Sequence, residues 1–311
     1  MSLLFVFPGQ GSQSLKMMDN YLEFEQVQKT FAIAHDVLGV DFLSMLQEDD
    51  ASNINQTVNT QPLLLTAGYA MFLTYLSKGG KKPDYMAGHS LGEWTALVAG
   101  GAINFEDGLR LVRLRAEAMQ DSVPAGAGAM AAVLGLDDDT IIQVCSEIEQ
   151  LHGGVVAGVN FNAPGQVVIA GMAQSVMLAS EKLKERGARK VQLLPVSVPS
   201  HCSLMLPASE KLAKALDDIT INMPSIPVIH NFNVKISNNI NEIKEALIKQ
   251  LYMPVLWTKS INKLIGDGVN TVVECGPGKV LSGLNKRIAA DLMSYSLSNI
   301  ADLQTVLDTI K

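Results

Sequence analysis

A serine between two glycines is the strongest candidate for chemistry in this sequence. Gly88-His89-Ser90-Leu91-Gly92 has the pattern Gly-x-Ser-x-Gly and stands between a predicted short strand and a predicted helix. In such a nucleophile elbow, a tight turn exposes the serine hydroxyl, and glycines are needed because neighbouring backbone passes close by. The next N–H, from Leu91, points toward an oxyanion formed on an attacked carbonyl. Because the pattern also arises by chance, the strand–turn–helix setting is what favours a nucleophilic serine.

A nucleophilic serine needs a base, usually a histidine. His201 follows a predicted strand through Pro199-Ser200, at a junction between domains where clefts form, and is the candidate base. A purely structural histidine is the alternative. The other four histidines are interpreted as helix, helix-end or strand-end residues or, beside the serine, as a side chain that points away: His35, His152, His230 and His89.

A glycine-rich loop, Pro8–Gln13, follows the first predicted strand. The dinucleotide pattern Gly-x-Gly-x-x-Gly fails because Ser14 stands where the third glycine belongs, and no Gly-Lys-Ser/Thr follows for a phosphate loop. What remains is a loop whose backbone can approach a ligand closely. Its N–H groups either complete an oxyanion hole or belong to a plain sharp turn.

Arg115 is a further candidate, because it interrupts an otherwise small and apolar row of the predicted helix Phe105–Gln120. Such an arginine either extends to the surface at a domain edge or holds a buried anion. A guanidinium binds a carboxylate through two parallel hydrogen bonds, a geometry that lysine cannot reproduce.

The composition excludes several classes of protein. The chain has 311 residues, 48% of them hydrophobic, which excludes intrinsic disorder and allows one large core or two modest ones. The net charge is −7, and nothing indicates a basic face for nucleic acid. The N-terminal apolar run is interpreted as a strand rather than a signal peptide, and no run approaches a membrane span. We therefore expect a cytoplasmic protein without a membrane partner.

Three cysteines are too few and too far apart for a disulfide framework or a paired metal site: Cys145, Cys202 and Cys275.

The order of predicted elements indicates an α/β fold. Apolar strands such as Leu3–Phe7 and Thr271–Cys275 alternate with helices, which predicts a mainly parallel sheet of α/β-hydrolase-like type. The middle of the chain has the order βαββαβ, typical of a small ferredoxin-like α+β subdomain. We predict a large domain formed by 1–125 and 199–311, an inserted subdomain at 126–198, and an active site in the cleft between them.

The sequence also predicts two strands, at Tyr85–Gly88 and Lys190–Val198, and three helices, at Pro62–Leu76, Leu91–Gly100 and Val280–Ala289.

Eight motifs follow one another along essentially the whole chain. They are FPGQGSQ at 7–13, TQPL at 60–63, GHSLGE at 88–93, LVRLRAEAM at 111–119, NFNAPGQVVIAG at 160–171, VSVPSHC at 196–202, QLYMPVLW at 250–257 and ECGPGKVLSGL at 274–284. In this combination and order they closely resemble the malonyl-CoA:acyl-carrier-protein transacylases, the malonyltransferases of bacterial type II fatty acid synthesis.

The resemblance implies a role for six residues. Ser90 corresponds to the family's nucleophile, His201 to its base and Arg115 to the arginine that grips the free malonyl carboxylate. Backbone N–H groups for the oxyanion correspond to Gln10 and Leu91. The family has no triad aspartate, and a backbone carbonyl that orients the histidine corresponds to Gln250.

The implied reaction is ping-pong transfer of a malonyl group from malonyl-CoA, through a malonyl-serine, to the phosphopantetheine thiol of acyl carrier protein, supplying malonyl groups for fatty acid elongation. It needs no metal and no redox cofactor. The carrier is acidic in this family, so an acidic chain must dock it through a local basic patch. Candidate docking residues are Arg186, Arg189, Lys190, Lys279, Lys286 and Arg287.

Three alternatives stay open at this point. A stand-alone acyltransferase of a polyketide pathway uses the same chemistry with another carrier. A serine thioesterase or other hydrolase shares the elbow and the histidine, and acidic residues that could complete a triad, such as Asp121 and Asp137–Asp139, lie between Ser90 and His201. An inactive acyltransferase-like binding module is the third, and the presence of all three reactive residues argues against it.

Overall fold

A five-stranded parallel sheet organises most of the chain. The computed structural model describes residues 2–196 and 198–311. The sheet has the order β7-β2-β1-β8-β9, and every neighbouring pair is parallel. Its strands are β1 (Ser2–Phe7), β2 (Tyr85–Gly88), β7 (Val228–Ile229), β8 (Val269–Glu274) and β9 (Met293–Ser296).

Helices cover both faces of this sheet, as a parallel sheet requires. They are α1 (Glu25–Leu38), α2 (Phe42–Leu46), α3 (Ser52–Asn55), α4 (Thr57–Ser77), α5 (Leu91–Ala99), α6 (Phe105–Asp121), α9 (Leu206–Asp217), α10 (Ile240–Gln250), α11 (Trp257–Gly266), α12 (Val280–Ile288) and α13 (Ile300–Thr309). Strand β1 shows why both faces are covered: Phe5 belongs to one hydrophobic cluster, and its neighbour Leu4 belongs to another on the opposite face.

A separate four-stranded antiparallel sheet has the order β4-β5-β3-β6. Its elements follow in the order βαββαβ: β3 (Gly128–Leu134), α7 (Asp138–His152), β4 (Val156–Ala163), β5 (Gln166–Met172), α8 (Ala173–Glu185) and β6 (Lys190–Leu193). Helices α7 and α8 pack on one face around Val144, Ile169 and Val176. The other face carries Met130 and Ala170 and contacts Cys202. The predicted fold class, a parallel α/β unit with a small ferredoxin-like α+β subdomain, is confirmed.

Two element boundaries differ from those predicted, and both affect the site. Helix α4 begins at Thr57, about one and a half turns before the predicted start at Pro62. Strand β6 ends at Leu193, whereas the prediction continued to Val198 and so included Ser197, which lies outside the described residues. Strand β6 pairs with β3 over four residues, and the N–H of Leu194 donates one further hydrogen bond to the Met130 carbonyl oxygen at 2.9 Å.

Candidate active site

Ser90 stands at the carboxyl end of β2, in a turn that is tight enough to strain its backbone. Strand β2 ends at Gly88 and α5 begins at Leu91, so the reversal takes two residues. Ser90 has φ 53° and ψ −109°, a conformation that costs a non-glycine residue about 1–3 kcal/mol. A Cβ on Gly92 would lie 1.9 Å from the carbonyl oxygen of Phe7, so only glycine fits at that position. The turn therefore has the geometry of a nucleophile elbow.

His201 faces the serine hydroxyl. Its Nε2 lies 2.8 Å from Ser90 Oγ, and its Nδ1 lies 2.7 Å from the backbone carbonyl oxygen of Gln250. A carbonyl oxygen only accepts, so the ring proton belongs on Nδ1, and Nε2 is left as the acceptor for the serine proton. The ring is thus held in the tautomer that a general base needs.

The surroundings keep this imidazole neutral. Burial, reinforced by the positive charge of Arg115, lowers the pKa of His201 to about 3. The side chain is 3% exposed. At neutral pH the ring is therefore free to accept a proton.

The acidic residues that a hydrolase triad would use lie elsewhere. Asp121 forms a surface ion pair with Lys211 at 3.1 Å, and Asp137 caps α7 by accepting from the N–H of Thr140. The histidine nitrogen that an aspartate would contact is occupied by the Gln250 carbonyl oxygen.

Arg115 is buried beside Ser90. Helix α6, whose first turn is capped by the Asn104 side chain, carries it inward, and the residue is 1% exposed, which excludes the surface-extended alternative. Its guanidinium donates to Gln61 Oε1 at 2.7 Å, Gln250 Oε1 at 3.1 Å and Ser90 Oγ at 3.3 Å.

The guanidinium is charged and not fully satisfied. Burial lowers the pKa of Arg115 to about 10, so the group remains protonated at neutral pH. Its Nε is buried without a hydrogen-bond partner among the described residues. A buried cation with a spare donor, next to the Ser90 hydroxyl, is suited to binding a carboxylate.

Two backbone N–H groups are available at the same place. Leu91 is the first residue of α5, so its N–H has no acceptor within the helix. The loop after β1 brings Gln10 to the elbow, and it approaches so closely that a Cβ on Gly9 would lie 2.4 Å from the His89 carbonyl oxygen. Within the described chain, the Gln10 N–H has no acceptor. Both residues line the cavity that contains Ser90 and His201.

The cavity that contains Ser90 is small, and residues of both units line it. Its volume is about 110 Å³. Five of the six predicted site residues line the cavity and come from the parallel unit; Gln250 does not line it. The antiparallel unit and the segment after it add lining residues, which are Met130, Asn160, Leu194, Val196 and Val198. A larger cavity of about 740 Å³, between α7, β4 and the start of α11, is lined by none of the six.

Sequence reasoning missed several buried polar residues around the site. Gln61 holds the Arg115 guanidinium, and its only signal was its place in the TQPL motif. Glu93 is the one charged residue of the apolar helix α5 and is fully buried. Asn231, 141 residues after Ser90, accepts from the Ser90 N–H and gave no signal at all.

The remaining histidines lie away from the serine hydroxyl. His89 Nε2 lies 2.7 Å from Asn162 Oδ1, so this side chain points away from Ser90. His230 Nδ1 lies 2.7 Å from Glu93 Oε1, beneath the elbow. Of the other two, His35 lies in the last turn of α1 and His152 in the last turn of α7.

The six predicted docking residues are all exposed, but they differ in their partners. Arg186 pairs with Glu147 at 3.1 Å and Lys279 with Asp302 at 2.7 Å. Arg287 contacts Gln166 and the Pro164 carbonyl in the turn between β4 and β5. The other three are in no ion pair within the described residues: Arg189, Lys190 and Lys286.

Two further findings concern metals and membranes. Within 2–196 and 198–311, no group of three or more His, Cys, Asp or Glu side chains is arranged to hold a metal ion. No helix in the described part of the chain has both the length and the apolar character needed to cross a membrane.

Comparison with known proteins identifies the family. The acyl transferase domain model matches residues 4–293. The malonyl CoA-acyl carrier protein transacylase of Escherichia coli is 48% identical, over 98% of each chain. That of Coxiella burnetii has a solved structure with a TM-score of 0.97 at 41% identity, covering 100% of this chain and 98% of that one.

A third relative was solved with a carrier. A malonyl-transacylase in complex with a type II polyketide acyl-carrier protein has a TM-score of 0.97 at 45% identity, covering 99% of both chains. The elbow, the serine–histidine pair and these full-length matches agree, and the chain belongs to the acyl transferase family as one of the malonyl CoA-acyl carrier protein transacylases.

Proposed function

We propose that the chain transfers the malonyl group of malonyl-CoA to the phosphopantetheine thiol of an acyl carrier protein through a malonyl-Ser90 intermediate. The observation that carries the proposal is the grouping at one hydroxyl: Ser90 Oγ lies 2.8 Å from His201 Nε2 and 3.3 Å from the guanidinium of Arg115. A base and a carboxylate-binding cation at one nucleophile suit an acyl substrate with a free carboxylate.

In the first half-reaction, His201 Nε2 takes the Ser90 proton as the hydroxyl oxygen attacks the thioester carbonyl. The N–H groups of Gln10 and Leu91 stabilise the tetrahedral oxyanion. The carbon–sulfur bond then breaks, the proton passes from His201 to the CoA sulfur, and a malonyl-serine ester remains. The Gln250 carbonyl holds the ring through both transfers by accepting from Nδ1–H.

The second half-reaction uses the same groups in reverse order. The carrier's thiol gives its proton to His201 Nε2, and its sulfur attacks the ester carbonyl. The carbon–oxygen bond of the ester breaks, and Ser90 Oγ recovers the proton from His201. A thioester is exchanged for a thioester, so the equilibrium constant is close to unity.

Arg115 and the cavity size together define the acyl group. The guanidinium pairs with the free carboxylate of the malonyl group. An acetyl group has no carboxylate and would leave the buried guanidinium without an ionic partner, so its binding is disfavoured. A cavity of about 110 Å³ lies below the usual range for whole-ligand pockets, so only the short acyl end of the thioester enters.

The carrier is proposed to dock on the basic residues named above, with Lys286 and Arg287 on α12 and Arg186, Arg189 and Lys190 around the start of β6. A carrier from a polyketide pathway is a second candidate, which the 45% identical transacylase complex favours. Comparing kcat/KM for carriers of both kinds under one set of conditions distinguishes the two.

The test of the proposed function is intact mass spectrometry after brief mixing with malonyl-CoA in the absence of carrier, with Ser90→Ala beside the wild type. We expect a persistent malonyl adduct on the wild type only. Steady release of free CoA without an adduct supports a thioesterase instead. Neither adduct nor release supports a binding module.

Three expectations from the sequence stay predictions. They are the domain boundaries at 125/126 and 198/199 with the active site in the cleft between the domains, the cytoplasmic location, and independence from metal and redox cofactors.

A further inference from the structure

The strained turn at Ser90 needs something to hold it, because a serine with φ 53° relaxes when its surroundings allow. The elbow glycines only make room for the turn. What fixes it must contact the backbone of the turn itself.

Asn231 makes those contacts through one side chain. Its Oδ1 accepts from the N–H of Ser90 at 2.8 Å, and its Nδ2 donates to the carbonyl oxygen of Gly88 at 2.7 Å. The residue is 1% exposed, so water does not compete for either bond. One planar amide thus spans the turn from the last residue of β2 to the nucleophile.

The amide is itself held by a buried carboxyl group. Glu93 Oε2 accepts from the backbone N–H of Asn231 at 3.0 Å and from Gln250 Nε2 at 2.9 Å. Gln250 Nε2 also donates to the carbonyl oxygen of Ser90 at 3.0 Å. Both backbone polar groups of Ser90 are therefore engaged by side chains from the segment after β7 and from α10.

The contacts of Asn231 determine which N–H groups face the reacting carbonyl. Because Asn231 binds the Ser90 N–H, that donor is turned away from the oxyanion, and the N–H of Leu91 is the elbow donor that stays free. The same bond fixes the backbone from which Ser90 Oγ is aimed at His201 Nε2, 2.8 Å away.

We propose that Asn231 is a positioning residue for the acyl transfer: it clamps the strained elbow so that the hydroxyl of Ser90 faces the base and the Leu91 N–H faces the oxyanion. This inference rests on the proposed function of Ser90 as the nucleophile. Asn231 acts through Ser90 and does not touch the substrate.

The test compares Asn231→Ala, Asn231→Asp and Asn231→Ser with a matched loss of a buried asparagine elsewhere. Asn285 serves as the control, because its buried side chain accepts from Trp257 Nε1 at 3.0 Å, and it does not line the cavity. The rate constant of malonyl-enzyme formation is measured at saturating malonyl-CoA by rapid quench and mass spectrometry. The melting temperature of each variant is measured as well. The Kd for malonyl-CoA is measured with each substitution placed in a Ser90→Ala background.

We expect Asn231→Ala to lower the acylation rate constant about 100-fold, the effect of a misplaced reacting group, with the Kd unchanged within about twofold. Asn231→Asp keeps an acceptor for the Ser90 N–H but sets an oxygen against the Gly88 carbonyl, so it is also slow. Asn285→Ala lowers the melting temperature and leaves the rate constant at the wild-type value. Asn231→Ser provides the measurement if the alanine variant does not fold.

The outcomes separate this inference from the proposed function. If the wild type forms the adduct and the Asn231 variants form it at the wild-type rate, the clamp is wrong and the function stands. A loss of stability in the Asn231 variants without a change of rate also overturns the clamp, because it shows a structural role only. If the wild type forms no adduct, the proposed nucleophile is wrong.

Discussion

In the proposed function, Arg115 recognises the acyl group and Ser90 carries out the chemistry, so removal of Arg115 should change selectivity. Arg115→Ala leaves the malonyl carboxylate unpaired in a buried site, at a cost of about 3–5 kcal/mol, and kcat/KM for malonyl-CoA should fall about 150- to 5000-fold. Use of acetyl-CoA should be spared or raised. The measurement is kcat/KM for both thioesters. Arg110→Ala, which removes an exposed arginine of the same helix paired with Asp107, is the control. An equal loss for both thioesters contradicts the carboxylate role.

The pH dependence of acylation reports the charge next to His201. The base works only when neutral, so activity is present above its pKa in the folded protein and is lost as pH falls through it. Because that pKa is lowered to about 3, the wild-type acylation rate should be level between about pH 5 and 8. Arg115→Ala removes one cause of the lowering, so the loss at acid pH should move upward. Stopped-flow acylation by acetyl-CoA checks this, and an unchanged profile contradicts it.

At the residue scale, candidates for the reacting groups could be selected from the sequence, and the residues that contact and support them could not. A serine between glycines and an arginine in an apolar row are signals within a few residues of sequence. Asn231 and the side chain of Gln250 contact the backbone of Ser90 across 141 and 160 residues. Such contacts form because the tertiary fold brings distant parts of the chain together, and no local sequence spacing indicates them.

At the element scale, the turn from β2 to α5 depends on a close approach that only glycine allows. Gly92→Ala directs a Cβ to within 1.9 Å of the Phe7 carbonyl oxygen, and the overpacking should lower the free energy of unfolding by about 2–3 kcal/mol. Gly283, within α12, has open space at its Cβ, so Gly283→Ala should stabilise by about 0.4–1 kcal/mol. Urea unfolding measures both. Equal stability of the two variants contradicts the close approach.

Helices and strands were predicted well where an apolar pattern ends at a residue that commonly terminates an element, such as glycine. Strand β2 was predicted at its observed bounds, and α5 within one residue, because Gly88 ends the strand and Gly100 follows the helix. Helix α4 was started too late, since a proline usually stands in the first turn of a helix and Pro62 stands within this one. Strand β6 was extended too far because apolar residues continue past Leu193, where Leu194, Val196 and Val198 line the cavity.

At the scale of the whole molecule, the element order predicted both sheets, but the dimensions of the cavity at Ser90 needed the structure. The order βαββαβ indicates an antiparallel sheet of four strands, and the flanking α/β order indicates a parallel sheet. How far apart the two units stand follows from packing. The cavity volume of about 110 Å³ is therefore a property that the sequence could not supply.

The whole molecule also limits how a carrier reaches the site. The chain has a net charge of −7, and the resemblance implies an acidic carrier, so the proposed docking needs a local basic surface that offsets long-range repulsion. Lys286, exposed in the last turn of α12, is a member of the predicted surface without an ion pair among the described residues. Lys286→Glu should raise KM for the carrier about 3- to 10-fold at low salt and leave malonyl-enzyme formation unchanged.

The control for that variant is Lys214→Glu on α9, which changes the net charge by the same two units outside the predicted surface. Carrier kinetics at two ionic strengths distinguish a local contact from a general charge effect. If Lys286 contacts the carrier, Lys286→Glu has a higher KM for the carrier than Lys214→Glu at low salt. The difference in KM becomes smaller at high salt, because screening weakens exposed charge pairs. Equal KM values for the two variants show that net charge alone matters and place the carrier elsewhere on the surface.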